Sequence, residues 1–301
     1  MRSCLNGEPT AATADPSGRF ALGTSTGKVI AGRVRFRPHP TDIEARWSAE
    51  LEGLRAWDLL GGGPVRRLVF RAPEVGPTLA VVGEDPSRIL LLAEREEGGL
   101  LFTERREVRV ELTLPEGEEV TALALDSEGR QLFAGTRSGR LYGWLLDEVA
   151  EPVARDLSGL PRLQGAVTAM AVLLGDATLL VGDETGLISA YFEALQPDGT
   201  RRFLRVRDFR AHRAPVVALR SSTRNKVFLS VDREGVVAVH HFTSGRTVAE
   251  TTVVGGPVLG VTLCDRSDWA LLQVGPELRL FSIETPHVEA TPQDALLSGL
   301  V

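Results

Sequence analysis

One pattern recurs along the chain often enough to dictate the kind of fold it can adopt. Its clearest copy, Val120 to Trp144, holds three alternating apolar stretches separated by Asp126-Ser127-Glu128-Gly129 and Thr136-Arg137-Ser138-Gly139. Period-two alternation marks half-buried strands, and Asp, Ser, Thr and Gly supply the turns between them. The template returns at Val167 to Tyr191, at Val216 to Phe242 and at Thr13 to Val34, and more weakly at Val65 to Ala93 and Val258 to Phe281. With Gly23, Gly83, Gly135, Gly182, Val231 and Gly275 as anchors, the spacings are 60, 52, 47, 49 and 44 residues.

Such spacing is that of a four-stranded propeller blade. A lone four-stranded sheet cannot bury both faces, whereas sheets stacked radially bury them against each other and leave only short edges. The expectation is therefore an all-β chain forming a β-propeller of four-stranded antiparallel blades, six or seven in number. A seventh would be hidden in the long interval between Gly23 and Gly83 or belong to a part of the parent protein outside this sequence. Residues 1–301 read as one propeller domain, with blade cores near 13–52, 65–112, 120–157, 167–207, 216–253 and 258–284. Each copy opens on a turn and a valine: Gly63-Pro64-Val65, Glu119-Val120, Ala166-Val167, Ala214-Pro215-Val216 and Gly256-Pro257-Val258. Arg46 to Glu52, Leu101 to Leu112 and Arg202 to Arg207 are suited to be fourth, outer strands. On this reading most of the 31 glycines and 17 prolines belong to blade turns.

Few residues suggest chemistry. Gly23-Thr24-Ser25-Thr26-Gly27-Lys28-Val29 has the look of a phosphate loop, but its spacing, its valine and its strand context are those of a hairpin. The five histidines, His39, His212, His240, His241 and His287, show no metal-ligand spacing, and His240 and His241 face opposite sides of a strand. Cys4 and Cys264 form no Cys-x-x-Cys, and Cys264 reads as a buried free thiol. Asp183 and Asp232 occupy equivalent turns, with Asp85 near a third. Carboxylates converging there could bind a cation, but the expected role is acceptance of turn N–H bonds. No Gly-x-Ser-x-Gly elbow exists. No catalytic residue, cofactor or metal ligand is therefore assigned, and the chain is read as no enzyme.

The densest basic stretch, Arg201 to Arg213, places Arg202, Arg205, Arg207, Arg210 and Arg213 along an outer strand. Charge there guards against edge pairing, and the same five residues form the interaction surface that the sequence offers. A net charge of -6 argues against nucleic acid as the partner and leaves proteins. No apolar run reaches the roughly 18 residues of a membrane span. Met1 to Gly7 lacks the apolar core of a signal peptide.

Ala211-His212-Arg213-Ala214-Pro215-Val216 resembles the Gly-His element that opens a WD repeat, and Trp57-Asp58 is the single Trp-Asp pair, so the chain resembles a degenerate WD-like propeller. In such blades the histidine is expected to bond within its own blade. Leu278 to Ile283 followed by Glu284-Thr285-Pro286-His287-Val288-Glu289 is similar to the exit of the soluble WD-like domain of some proteobacterial phosphate ABC transporter permeases. Gly23 to Val29 with Arg33-Val34-Arg35-Phe36 is similar to an early blade of that domain, although Thr285 and Val288 depart from its Asn-Pro-His-Pro-Glu pattern. This resemblance implies an accessory, protein-interaction domain of a transporter, with transporter subunits as partners. It implies placement at the inner membrane through a membrane-embedded parent protein, on the periplasmic side. The alternatives are a cytoplasmic WD-repeat-like scaffold, and a propeller enzyme or small-ligand binder with its site at the central channel.

Overall fold

In the computed structural model, residues 7–15, 17–38, 47–72, 76–99, 102–147, 150–197, 199–263 and 269–283 are described. They form six antiparallel sheets and no helix. Blade 1 comprises β1 (Pro9–Ala14), β2 (Arg19–Thr24), β3 (Lys28–Pro38) and β4 (Trp47–Asp58). Blade 2 comprises β5 (Arg67–Arg71), β6 (Thr78–Val82), β7 (Arg88–Gly99) and β8 (Phe102–Thr113). Blade 3 has β9 (Val120–Leu125), β10 (Gln131–Thr136), β11 (Leu141–Leu145) and the short β12 (Val153–Ala154). Blade 4 has β13 (Val167–Val172), β14 (Thr178–Asp183), β15 (Ile188–Leu195) and β16 (Arg201–Phe209). Blade 5 has β17 (Val216–Ser221), β18 (Val227–Asp232), β19 (Val236–His241) and β20 (Arg246–Thr252). Blade 6 shows three strands among the described residues, β21 (Val258–Leu263), β22 (Trp269–Val274) and β23 (Glu277–Ser282).

The blade number is thus six. The long first interval hides no extra sheet; it is taken up by the extended β3–β4 hairpin, which pairs from Lys28↔Asp58 out to Pro38↔Trp47. Register also moves two of the anchors. Gly23, Gly135, Gly182 and Val231 pair with Ala11, Ala122, Ala169 and Ala218, and Val82 and Gln273 pair with Arg67 and Gly260 at the matching places. Gly83 and Gly275 lie one and two residues further on because their turns are built differently. Trp57-Asp58 closes β4, an outer strand, and so is not the end of a third strand. Trp144, Tyr191, His240 and Phe281 hold the ring position on the third strands of blades 3 to 6.

Apolar clusters join consecutive blades. Val29, Trp57, Phe70 and Leu79 fill the first junction; Leu91, Leu112 and Leu132 the second; Phe133, Leu179 and Phe203 the third. Ile188, Phe209 and Phe228 fill the fourth, and Leu229, Val239, Leu272 and Phe281 the fifth. From blade 6 back to blade 1 no such cluster forms among the described residues. The face of blade 6 turned away from blade 5 leaves Leu259 62% and Leu278 43% exposed. Burying one Leu or Phe side chain contributes roughly 1.5–3 kcal/mol, so the five filled junctions carry the stability of the ring.

A steric rule repeats at these junctions. The opening valine of each of three blades sits where the preceding blade has glycine. A Cβ on Gly23, Gly135 or Gly182 would lie 2.6, 2.6 or 2.7 Å from the Cβ of Val65, Val167 or Val216. Glycine is kept there by close approach of the next sheet, since the backbone of these three is not left-handed.

Candidate functional site

Blade 5 carries a buried chain of hydrogen bonds that starts in its second turn. Asp232 Oδ1 accepts the N–H groups of Glu234 (3.0 Å) and Val236 (2.9 Å), which closes the turn. Its Oδ2 accepts from His212 Nδ1 at 3.2 Å. With its proton on Nδ1, His212 offers Nε2 as acceptor to the Ser230 hydroxyl at 2.6 Å. Ser230 Oγ then accepts from His240 Nε2 at 2.7 Å, and His240 Nδ1 accepts from Thr247 at 3.1 Å. Every tautomer in the series follows from the carboxylate at its end. Phe209 and Phe228 pack on the His240 ring at 5.1 and 4.7 Å.

Burial pushes both imidazoles below their ordinary range, His240 to about 3 with a smaller contribution from His212, while Asp232 partly offsets the effect at His212. Both rings are neutral when folded and take a proton when unfolded, so below about pH 6.5 the unfolded chain binds more protons. Stability is full above that value and falls as pH drops toward the folded value of about 3. Each ring contributes a slope of up to about 1.4 kcal/mol per pH unit. Urea midpoints at about pH 5 and about pH 8 should differ less in His240→Phe than in the wild type. An equal difference in the two proteins would show that His240 is not held neutral.

Blade 4 shows what happens when the partners change. Asp183 closes the same turn through Thr185 (2.9 Å) and Leu187 (3.1 Å). Leu163 stands where blade 5 has His212, and Val181 where it has Ser230. Among the described residues the second carboxylate oxygen of Asp183 is then left without a partner. Burial raises the Tyr191 phenol above its ordinary range. Asp183 and Asp232 therefore serve their own turns, as expected of them, and do not converge. Asp85 likewise binds the N–H and hydroxyl of Ser87. Gly23 to Val29 is a hairpin turn in which Thr24 Oγ1 accepts the Lys28 N–H at 3.1 Å. His241 turns away from His240 and bonds Ser244. Among the described residues no three His, Cys, Asp or Glu side chains gather as a metal ion would need. His39, His287, Cys4, Cys264 and the segment Thr285 to Glu289 lie outside the described residues.

The five arginines of the basic stretch are strung along blade 4 and are not gathered into a pocket. Phe203 and Phe209 of β16 face inward, toward blades 3 and 5. Arg205 forms a bidentate pair with Asp208 at 2.8 and 2.9 Å, and Arg207 reaches the Thr243 carbonyl at 3.4 Å. Arg202 lies near Asp156, whose carboxyl is held below its ordinary range first by the Ser158 hydroxyl and N–H and also by Arg202. Arg202, Arg210 and Arg213 are exposed, together with Leu204 (44%) and Val206 (48%). Among the described residues no other strand pairs with the outer edge of β16.

The inner strands of all six blades surround a central channel with a cavity of about 600 Å³. Arg71 and Arg220 line it from blades 2 and 5, with Asp15 and Asp176 at the end where the inner strands finish. Asp126, beside Arg71, has its carboxyl raised by burial and by Asp176, against the N–H groups of Gln131 and Arg130. At the opposite end of the inner strands, Arg66, Arg67 and Arg137 border a second cavity of about 590 Å³ with Glu84 and Glu119. None of these channel residues stands out in the sequence, since each is a single charge on a strand or in a turn. Ring geometry alone brings them together.

The chain matches no protein-family model and no curated protein. Among solved structures it is similar to Sqt1 of Chaetomium thermophilum bound to the N-terminus of the ribosomal protein L10. That match has a TM-score of 0.62 and 13% identity, over 92% of this chain and 73% of the other. A second structure of the same protein gives 0.62 and 13%, over 94% and 70%. A chain of the Mitotic Checkpoint Complex gives 0.56 and 16%, over 88% and 73%. At these identities the likeness is one of fold, and with the six sheets it makes the chain a six-bladed β-propeller.

Proposed function

We propose that the protein is a non-catalytic interaction scaffold of the WD-repeat kind. The observation that carries this reading is the outer strand of blade 4. Exposed Arg202 stands there with exposed Leu204 and Val206 beside an edge that no other described strand pairs, and exposed Arg210 and Arg213 follow in the linker to blade 5. Arginine with apolar neighbours is the composition that protein interfaces favour, and an open edge can accept an extended segment by strand addition. The partner surface is assigned to Arg202, Arg205, Arg207, Arg210 and Arg213, with Arg205 and Arg207 holding the strand in shape through Asp208 and Thr243. An acidic, extended protein segment fits that surface. Two of the similar structures support the reading by their printed names, one bound to the N-terminus of a ribosomal protein and one a checkpoint assembly. The narrower transporter reading, and the periplasmic placement that goes with it, rest on the permease likeness. Its exit segment lies outside the described residues, and none of the three similar structures carries a transporter's name.

Crosslinking in cells with the wild type and with a triple Arg202→Glu, Arg210→Glu, Arg213→Glu variant tests the assignment. Protein crosslinks mapping to β16 should fall by roughly tenfold in the variant while its circular dichroism stays unchanged. Crosslinks that persist, or that map to another face in the wild type, would remove β16 as the partner surface.

A further inference from the structure

We infer that the central channel binds a small multivalent oxyanion, of the phosphate or dicarboxylate class, in the guanidinium fork of Arg220 with Arg71 on the opposite wall. Blades 2 and 5, which supply the two arginines, stand opposite each other in a ring of six, and both side chains line the same cavity of about 600 Å³. That volume is within the range of small-molecule sites.

Arg220 is the residue without a counter-charge. Its Nε donates to the Val261 carbonyl at 3.0 Å and its Nη1 to the Leu219 carbonyl at 2.8 Å. These use two of five N–H groups, and no carboxylate among the described residues pairs with it. Several other arginines find carboxylates. Arg155 bonds Glu193, Arg205 bonds Asp208, and Arg88 bonds Asp85 and Glu111. The Arg220 side chain is exposed to the channel, and the charge that acts on it there is the like charge of Arg71. Desolvation lowers its affinity for its proton, and the like charge of Arg71 adds to the effect. A bound anion would offset the repulsion between the two guanidinium groups.

The surroundings favour an anion small enough to sit inside. The hydroxyl-bearing residues Thr13, Ser221 and Thr262 line the same cavity. The free part of the fork matches two oxygens of one phosphate or carboxylate. Charge also sets a direction of entry. Asp15 and Asp176 stand at one end, whereas at the other Arg66, Arg67 and Arg137 outnumber Glu84 and Glu119, so an anion is drawn in from the arginine end. The inference is separate from the scaffold reading, since it concerns a different face and needs no protein partner.

Calorimetric titration of the full chain with inorganic phosphate and with succinate tests it, with acetate at matched ionic strength as the control. The expected result is saturable one-to-one binding of phosphate or succinate. Affinity should fall by roughly tenfold or more in Arg220→Gln and by less in Arg220→Lys, which keeps the charge without the fork. Amide exchange around Arg220 and Val261 should slow when the anion is bound. If Arg220→Gln does not fold, Arg220→Lys and the exchange map decide. Absence of saturable binding, equal binding by Arg220→Gln, or slowed exchange confined to another region would overturn the inference. So would binding of a glutamate-rich peptide with no binding of either small anion, which would give the channel to an acidic protein tail.

Discussion

Gly135→Ala is expected to cost about 3 kcal/mol, a large share of the stability of a domain of this kind. The added methyl would lie 2.6 Å from the Val167 Cβ, and Val167 is fully buried at the start of blade 4. Valine is stiff at χ1 and cannot swing aside, so relief requires blade 4 to move as a sheet. Denaturant midpoints of Gly135→Ala, Val167→Ala and the double variant would measure the clash. The double variant should be more stable than the sum of the two single losses predicts, because losing the valine methyls removes two of the three close contacts and leaves only that with the Cβ. Strict additivity would mean that Gly135 is kept for another reason. Blade 5 supplies the internal control. Val231 occupies the glycine position there, so Val231→Ala should cost only the ordinary price of a lost buried side chain.

Ser230→Ala is expected to destabilise by about 3 kcal/mol, far more than loss of a surface hydroxyl. Its oxygen joins His212 and His240 by hydrogen bonds, donating to one ring and accepting from the other at 2.6 and 2.7 Å. Removing it leaves two imidazole nitrogens buried and unpaired, and each orphaned group costs roughly 1–3 kcal/mol. Ser230→Thr keeps the hydroxyl and should recover most of the loss. Equal losses from the alanine and threonine variants would show that crowding, and not the hydrogen bonds, governs the position. Equilibrium unfolding at neutral pH reads both effects, because neither histidine is protonated there in the folded state.

The comparison of blades 4 and 5 shows why some of this could be read from sequence and some could not. His212 and Asp232 are legible because a turn and a blade entry have recognisable residue types at fixed places. Ser230 and His240 complete the same chain but lie inside strands, where a serine or histidine looks like any half-buried polar residue. Asp183 looks identical to Asp232 in sequence, yet its second oxygen has no partner, because the deciding residue, Leu163, sits in the preceding linker. The Arg202 to Arg213 stretch is obvious as a run of charge, but the bonds of Arg205 to Asp208 and of Arg207 to Thr243 leave only Arg202, Arg210 and Arg213 without a hydrogen-bonded partner among the described residues.

What the sequence determined by itself is the repeating unit. Period-two alternation, turn residues at regular spacing and an opening valine are local, so they specify antiparallel sheets and, by their number, a ring. What only the tertiary structure decided is everything that depends on one blade meeting another. Six blades rather than seven follow from the length of the β3–β4 hairpin. The need for glycine at Gly135 follows from Val167, and the meeting of Arg71 with Arg220 across the channel follows from ring closure around a shared axis. These contacts join residues on different sheets, and a periodic sequence specifies each sheet without saying which side chains of its neighbours it will face.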